Sequence, residues 1–335
     1  MPPTELIERI ARADERIRPI VRETPLDHSR FFSQQCGAQV FLKLENLQHT
    51  GSFKLRGALN KLLSIEPTQR ALGVVAASSG NHGAAVAYAA DALHVPALIF
   101  TPETASPTKL AAMRRYGAEV KQVGDDSLIS ELAAREFAES RGLTYISPYN
   151  DLDVVAGQGT IGAEIVRQLA GASIDMLFAA VGGGGLIGGL AAFLRAHNPN
   201  LRVIGCQPQH SCVMTESVRA GRVLDLPSLP TLSDGTAGGI ELDALTFDLC
   251  RQVVDDYAIV SEDEIAVAMR LVMESQHLLV EGAAGVAVAG LLQKAGSVAS
   301  KNVVVVLCGA NISLTTLRTV LFDSDSLASV DSPAD

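Results

Sequence analysis

Short apolar runs alternate with helix-length stretches along nearly the whole chain, and this alternation limits the possible folds more than any other feature. The first series predicts strands at residues 40–44, 73–77, 95–100, 119–123 and 144–146. Helices are predicted between them at 53–63, 81–93, 108–116 and 127–140. A second series predicts helices at 158–169, 186–195, 212–220, 261–273, 282–292 and 313–320, with strands at 175–181, 202–206 and 302–307 and one ending at Val260. Ser261 with Glu264 reads as a capping box. An amphipathic helix over residues 4–18 precedes both series, and the Ser/Asp-rich tail from Asp323 to Asp335 is expected to fray. Strands alternating with helices imply parallel sheets covered on both faces. Nine to eleven strands are many for one sheet, so two are expected. The fold class is α/β, with two parallel-rich, doubly wound domains. Ligands in such folds sit beyond the carboxyl ends of the strands.

Composition narrows the partners. Hydrophobic residues make up 47% of the 335, aromatics only 4%, and there is no Trp, so Ala, Gly, Val and Leu must do the packing. The net charge of −10 is spread without long runs, which argues against a nucleic-acid or anionic-membrane surface. The five cysteines form no Cys-x-x-Cys pair, which predicts reduced thiols in a cytoplasmic protein and no zinc site. Residues 1–18 are charged and lack an apolar signal core, and no apolar run reaches the length of a membrane span.

Four segments at predicted strand ends carry the chemistry. In Thr50 to Ala58, Lys54 opens an apolar helix behind Ser52, a candidate N-cap. Burial lowers an amine's pKa and readies it to attack a carbonyl; otherwise Lys54 is a surface lysine with its stem on apolar neighbours. Ser78-Ser79-Gly80-Asn81-His82 combines hydroxyls, an amide and backbone N–H groups at a helix start, a receptor for a carboxylate or simply an N-cap cluster. Gly182-Gly183-Gly184-Gly185-Leu186 follows a buried strand. Four glycines cost backbone entropy and make sense where main-chain N–H groups close around a phosphate. A Walker loop is excluded, since Leu186-Ile187 stand where Lys-Ser/Thr would be. A dinucleotide fingerprint fits formally, leaving an NAD-dependent oxidoreductase as a distant alternative. The acidic residue that fingerprint wants is replaced by Cys206 and Gln207. Cys308, followed by Gly309, allows close approach of a planar ligand or is a core thiol. Together these segments are the inventory for pyridoxal 5'-phosphate with a small amino-acid substrate.

Ser52-Phe53-Lys54-x-Arg56-Gly57-Ala58, Ser78 to His82, Ala156-Gly-Gln-Gly-Thr160, Gly182 to Leu186, Glu281-Gly-Ala-Ala-Gly285 and Cys308-Gly-Ala-Asn311 occur in the order and spacing of a known family. Over residues 5 to 320 the chain resembles the threonine/serine dehydratase and serine racemase group of fold-type II, tryptophan-synthase-β-like pyridoxal-phosphate enzymes. That resemblance implies Lys54 as the Schiff-base lysine, Phe53 beside the cofactor ring and Asn81 on the ring hydroxyl. It implies Gly182 to Gly185, with Leu186, on the phosphate and Cys308 facing the pyridine nitrogen. Ser78, Ser79, Gly80 and His82 would take the substrate carboxylate. It further implies a discontinuous large domain (1–66 and 152–335), a small mobile domain (67–151) and a homodimer. The implied reaction is α,β-elimination from L-threonine, L-serine or a 3-substituted serine, giving a 2-keto acid and ammonia. Racemisation through Ser79 is the alternative.

The sequence departs from the family at three places. Cation-binding relatives carry a Glu and an Asp where this chain reads Gln207 to Val213, so no metal is expected. The chain ends without the regulatory domain of biosynthetic threonine dehydratases, so feedback by isoleucine is not expected. Asp234 to Glu241 resembles the phenylserine and hydroxyectoine-utilisation dehydratase branch, which puts threonine as sole substrate in question.

Overall fold

A computed structural model describes residues 3–322, so the tail from Asp323 lies outside the described residues. The described strands form two sheets, as the alternation predicts. The larger contains β1 (Leu26–His28), β2 (Gln39–Lys43), β7 (Met176–Ala180), β8 (Arg202–Pro208), β9 (Asp256–Val260) and β10 (Asn302–Val306). The smaller contains β3 (Val74–Ala77), β4 (Ala97–Thr101), β5 (Glu119–Gln122) and β6 (Thr144–Tyr145). Strand order is β1-β2-β10-β7-β8-β9 in the first and β5-β4-β3-β6 in the second. Every pairing is parallel except that of β1 with β2.

Burial explains the strand sequences. β7 reads Met-Leu-Phe-Ala-Ala and is buried throughout, because helices cover both faces of the sheet. In the smaller sheet, Ile99 packs one way against Ala87, Leu110 and Met113, and Phe100 the other way against Ala134 and Ala138. The Ser261–Glu264 capping box forms as predicted. The short helices Arg30–Cys36, Pro67–Arg70 and Ala295–Val298 are not in the sequence reading, and two further elements differ from it. β1 is three half-polar residues, placed only by pairing Leu26 with Lys43. The helix expected at residue 158 starts at Leu152, because the Asp151 side chain accepts the N–H groups of Asp153 and Val154. Its interior glycines permit contact with neighbours: a Cβ at Gly157 would lie 2.5 Å from the Arg56 carbonyl oxygen.

The strand order sets the site. β10 lies between β2 and β7, so three adjacent parallel strands deliver their carboxyl ends side by side. β2 leads to the lysine helix Lys54–Ser64, β7 to the tetraglycine turn and β10 to Cys308. In the smaller sheet β3 and β6 are neighbours, leading to Ser78–His82 and to Pro148–Tyr149.

A fully buried ion cluster anchors the lysine helix. Arg56 donates to both oxygens of Glu45 (2.8 Å each) and to both oxygens of Glu164 (2.6 and 2.8 Å). Lys43 donates to Glu164 at 2.6 Å and to the Thr24 carbonyl at 2.7 Å. Burial works against the Glu164 carboxylate, but the charges of Arg56 and Lys43 outweigh it and hold its pKa below the usual range. Two cations face two anions, so the cluster is neutral as a unit. Glu164→Gln leaves a buried positive charge uncompensated, and urea denaturation should show a loss of about 3–5 kcal/mol. A loss under about 1 kcal/mol, the worth of a surface pair, would contradict this role.

Candidate active site

The segment before Lys54 is stitched to the end of β10. Ser52 bridges Gly309, and the Phe53 N–H donates to the Cys308 carbonyl at 3.1 Å. Gly51 has φ +71°, and a Cβ there would meet Asn311 Oδ1 at 2.8 Å. The helix then starts at Lys54 with Phe53 at the cap position and no side-chain cap. Ser52 is therefore not the N-cap that the sequence suggested. Its hydroxyl is buried and has no partner among the described residues.

Lys54 is half-buried at the start of its helix. Its amine donates to the Pro148 carbonyl at 2.9 Å and sits 5.3 Å from the Phe53 ring centre. Burial lowers its pKa to about 8, against the opposing charges of Cys308 and Glu281. The surface-lysine alternative is thereby removed.

The Ser78–His82 loop follows β3 of the smaller sheet, and His82 lies within reach of the Lys54 charge. Gly80 precedes the helix Asn81–Ala92 and provides no side-chain cap, and Ser78 Oγ accepts the Gly80 N–H at 3.1 Å. The polar cluster is thus not consumed in capping the helix. Ser78, Ser79, Gly80 and Asn81 remain half-buried. His82 is buried, its Nε2 2.8 Å from the Ile146 carbonyl oxygen. Burial first, then the Lys54 charge, lowers its pKa to about 3, so His82 is neutral and donates to that carbonyl.

The tetraglycine turn packs on Tyr149, the residue after the Pro148 that accepts from Lys54. The N–H groups of Gly182, Gly183 and Gly184 have no acceptor among the described residues. Gly184 has φ +83° and begins the helix Gly185–His197. A Cβ on Gly183 would lie 2.4 Å from the Tyr149 ring, and one on Gly182 would lie 3.1 Å from the Thr236 backbone. Glycine is required here by close approach, and the free N–H groups at a helix start suit a phosphate. Leu186 is buried in that helix's first turn. Cys308 is buried beside the lysine segment, and burial, reinforced by Glu281, raises its thiol well above the usual range. The donors, the desolvated amine and the neutral thiol fit pyridoxal phosphate.

Two site residues escaped the sequence reading as individuals. Tyr149 covers Gly183 and accepts the Glu241 N–H at 3.1 Å. Glu281, buried, accepts from Asn81 Nδ2 at 2.8 and 3.0 Å and from the Asn311 N–H at 3.1 Å. Asn81, expected on a ring hydroxyl, thus also binds a protein carboxyl. Glu281 was visible only as the first letter of a glycine-rich motif, and its charge was the signal. Among the described residues no group of three or more His, Cys, Asp or Glu is placed to hold a metal ion, and no helix is long and apolar enough to cross a membrane.

The family model described as "Pyridoxal-phosphate dependent enzyme" matches residues 17–309. An L-threonine ammonia-lyase of Geobacter sulfurreducens is 40% identical over 315 residues, covering 93% of this chain and 77% of that protein. The processed form of threonine deaminase isoform 2 from Solanum lycopersicum superposes with a TM-score of 0.90 at 33% identity, covering 97% of this chain and 94% of that one. A maize serine racemase superposes with a TM-score of 0.88 at 31% identity, covering 96% and 98%.

The site makes a pH prediction. Unfolded, His82 takes up a proton near its ordinary value of 6.5; folded, it does so only near 3. The unfolded chain binds the extra proton between those values, so stability falls as pH drops through that window. His82→Asn should flatten this acid limb in urea titrations of the cofactor-free chain. An unchanged slope would contradict the assignment.

Proposed function

This chain belongs to the pyridoxal-phosphate-dependent enzyme family, and we propose that it is an ammonia-lyase acting on a β-hydroxy amino acid. L-Threonine, L-serine or a 3-substituted serine would give a 2-keto acid and ammonia. The observation that carries this reading is the Lys54 amine, lowered to about 8 and held at the Pro148 carbonyl beside the tyrosine that covers Gly183. When bound, pyridoxal phosphate supplies a carbonyl for the substrate amine and an electron-withdrawing ring that acidifies the α-hydrogen.

The chain's own residues do the rest. Near neutrality a useful fraction of Lys54 is unprotonated, so it can take the α-proton. The free N–H groups of Gly182 to Gly184, with those of Gly185 and Leu186 at the helix start, would hold the phosphate. Phe53 would lie beside the ring, Asn81 would reach its hydroxyl, and Cys308 would face its nitrogen. A thiol kept protonated by burial cannot hold a pyridinium as a carboxylate would, which favours elimination over transamination. Ser78, Ser79 and Gly80, with the His82 main chain, would receive the substrate carboxylate at a helix N-terminus. The neutral His82 ring spends its one N–H on Ile146 and adds no charge.

Racemisation is the second reading, with Ser79 as acid/base on the opposite face, and the likeness to a serine racemase favours it. We also infer that residues 67–151 form a small domain that closes on the substrate against 1–66 and 152–335. Contacts from the smaller sheet's helices support this: Lys109 meets Asp234 at 3.0 Å, and Arg135 meets Glu241 at 3.0 Å. Five free cysteines fit a reducing cytoplasm, and the reading includes a homodimer.

The test is keto-acid release from a panel of β-hydroxy amino acids. Lys54→Ala should lose about 10²–10⁴-fold or more in kcat, and failure of the native enzyme on every panel member would end the reading. Ser79→Ala should abolish racemisation while sparing elimination of the L-substrate; loss of both would remove the division of labour.

A further inference from the structure

Glu281 has no task in the deamination as described, yet the fold makes room for its carboxyl at some cost. A Cβ at Gly309 would lie 2.4 Å from Glu281 Oε1, and one at Gly235 would lie 3.5 Å from it. Glu281 sits at the cap position of the helix Gly282–Gln293 but gives that helix no side-chain bond. Its carboxyl turns instead to Asn81 and to the Asn311 N–H. Asn311 Nδ2 donates in turn to Asn81 Oδ1 at 2.6 Å. A carboxylate only accepts, so this pair fixes the Asn81 amide with its nitrogen toward Glu281 and its oxygen toward Asn311. Among the described residues Glu281 makes no ion pair. The titratable groups facing it are Lys54 from the lysine helix, Cys308 from the end of β10, Asp234 from the crossing loop and Lys109 from the helix Pro107–Arg115.

We propose that Glu281 is a positioning residue for this reaction: its buried carboxyl, packed on Gly309 where that residue bridges Ser52, orients the Asn81 carboxamide and places a carboxyl beside the lysine segment. The inference rests on Lys54 being the reacting amine. Burial, with help from Asp234 and against Asn81, the Asn311 N–H and Lys109, raises Glu281 to about 7. Lys54 stands at about 8, and ionised Glu281 raises it. Losing the Glu281 charge therefore loosens the proton on Lys54.

The test is competitive labelling of the cofactor-free full chain with trace acetic anhydride, reading Lys54 acetylation against pH by mass spectrometry. Glu281→Gln keeps the shape and removes the charge, so the Lys54 labelling midpoint should move to lower pH than in the native chain. Reconstituted with cofactor, the variant should lose about 10- to 100-fold in kcat through misplacement, with KM little changed. An unmoved labelling midpoint overturns the proposal. Should Glu281→Gln not fold, Asn81→Ala serves. Removing the amide that favours the Glu281 carboxylate leaves that carboxyl more protonated, so the Lys54 midpoint should again fall, and no movement overturns the proposal. The labelling needs no substrate, so it stands apart from any failure of the native enzyme to release keto acid.

Discussion

Arg56 carries its charge where no water reaches it, and Glu45 and Glu164 make that tolerable. Glu45 follows β2, Glu164 lies in the helix Leu152–Gln168, and Arg56 lies two residues past Lys54. The cluster therefore joins three elements at the point where the reactive amine must be placed. Such clusters seldom stabilise a fold better than well-packed apolar side chains would. Their directional bonds do restrict how the pieces can sit, and here the first turn of the lysine helix has one seat. The Phe53–Cys308 and Ser52–Gly309 contacts close that seat from the other side.

With its helix held, Lys54 keeps its amine at the Pro148 carbonyl. Its pKa is a balance between burial, which expels the proton, and the acidic groups Cys308 and Glu281, which favour the charged amine only when they are ionised. His82 answers the same field from the opposite side: a buried imidazole beside that amine stays neutral. Under the proposed function the site must hold an anionic substrate and free an amine near neutrality, which calls for donors without extra positive charge. Backbone N–H groups, hydroxyls and an amide are such donors, and the neutral His82 ring adds no charge beside them.

The legible part of the fold was periodic. Buried parallel strands such as Met176–Ala180 and Asn302–Val306 announce themselves as apolar runs, and the capping box at Ser261 is a local bond between near neighbours. β1 was not legible, because Leu-Asp-His becomes a strand only by pairing with β2. The helix start at Leu152 was missed although Asp151 marks it, since the glycines at 157 and 159 mask the helical pattern. In the site, Lys54, the tetraglycine turn and the Ser78–His82 loop stood out by residue type and strand-end position. The Ser52 cap failed because the chain there pairs with Gly309 rather than entering the helix. Glu281, 200 residues from Asn81, gains its meaning only through tertiary contact.

The account turns on one amine being the point of attachment for the cofactor. Reducing the purified holoprotein with borohydride and mapping the modified peptide by mass spectrometry tests this directly. The account predicts a pyridoxyl-phosphate adduct on Lys54 and on no other lysine. An adduct on Lys43, Lys61 or Lys109, or an unmodified chain from active holoprotein, would contradict it.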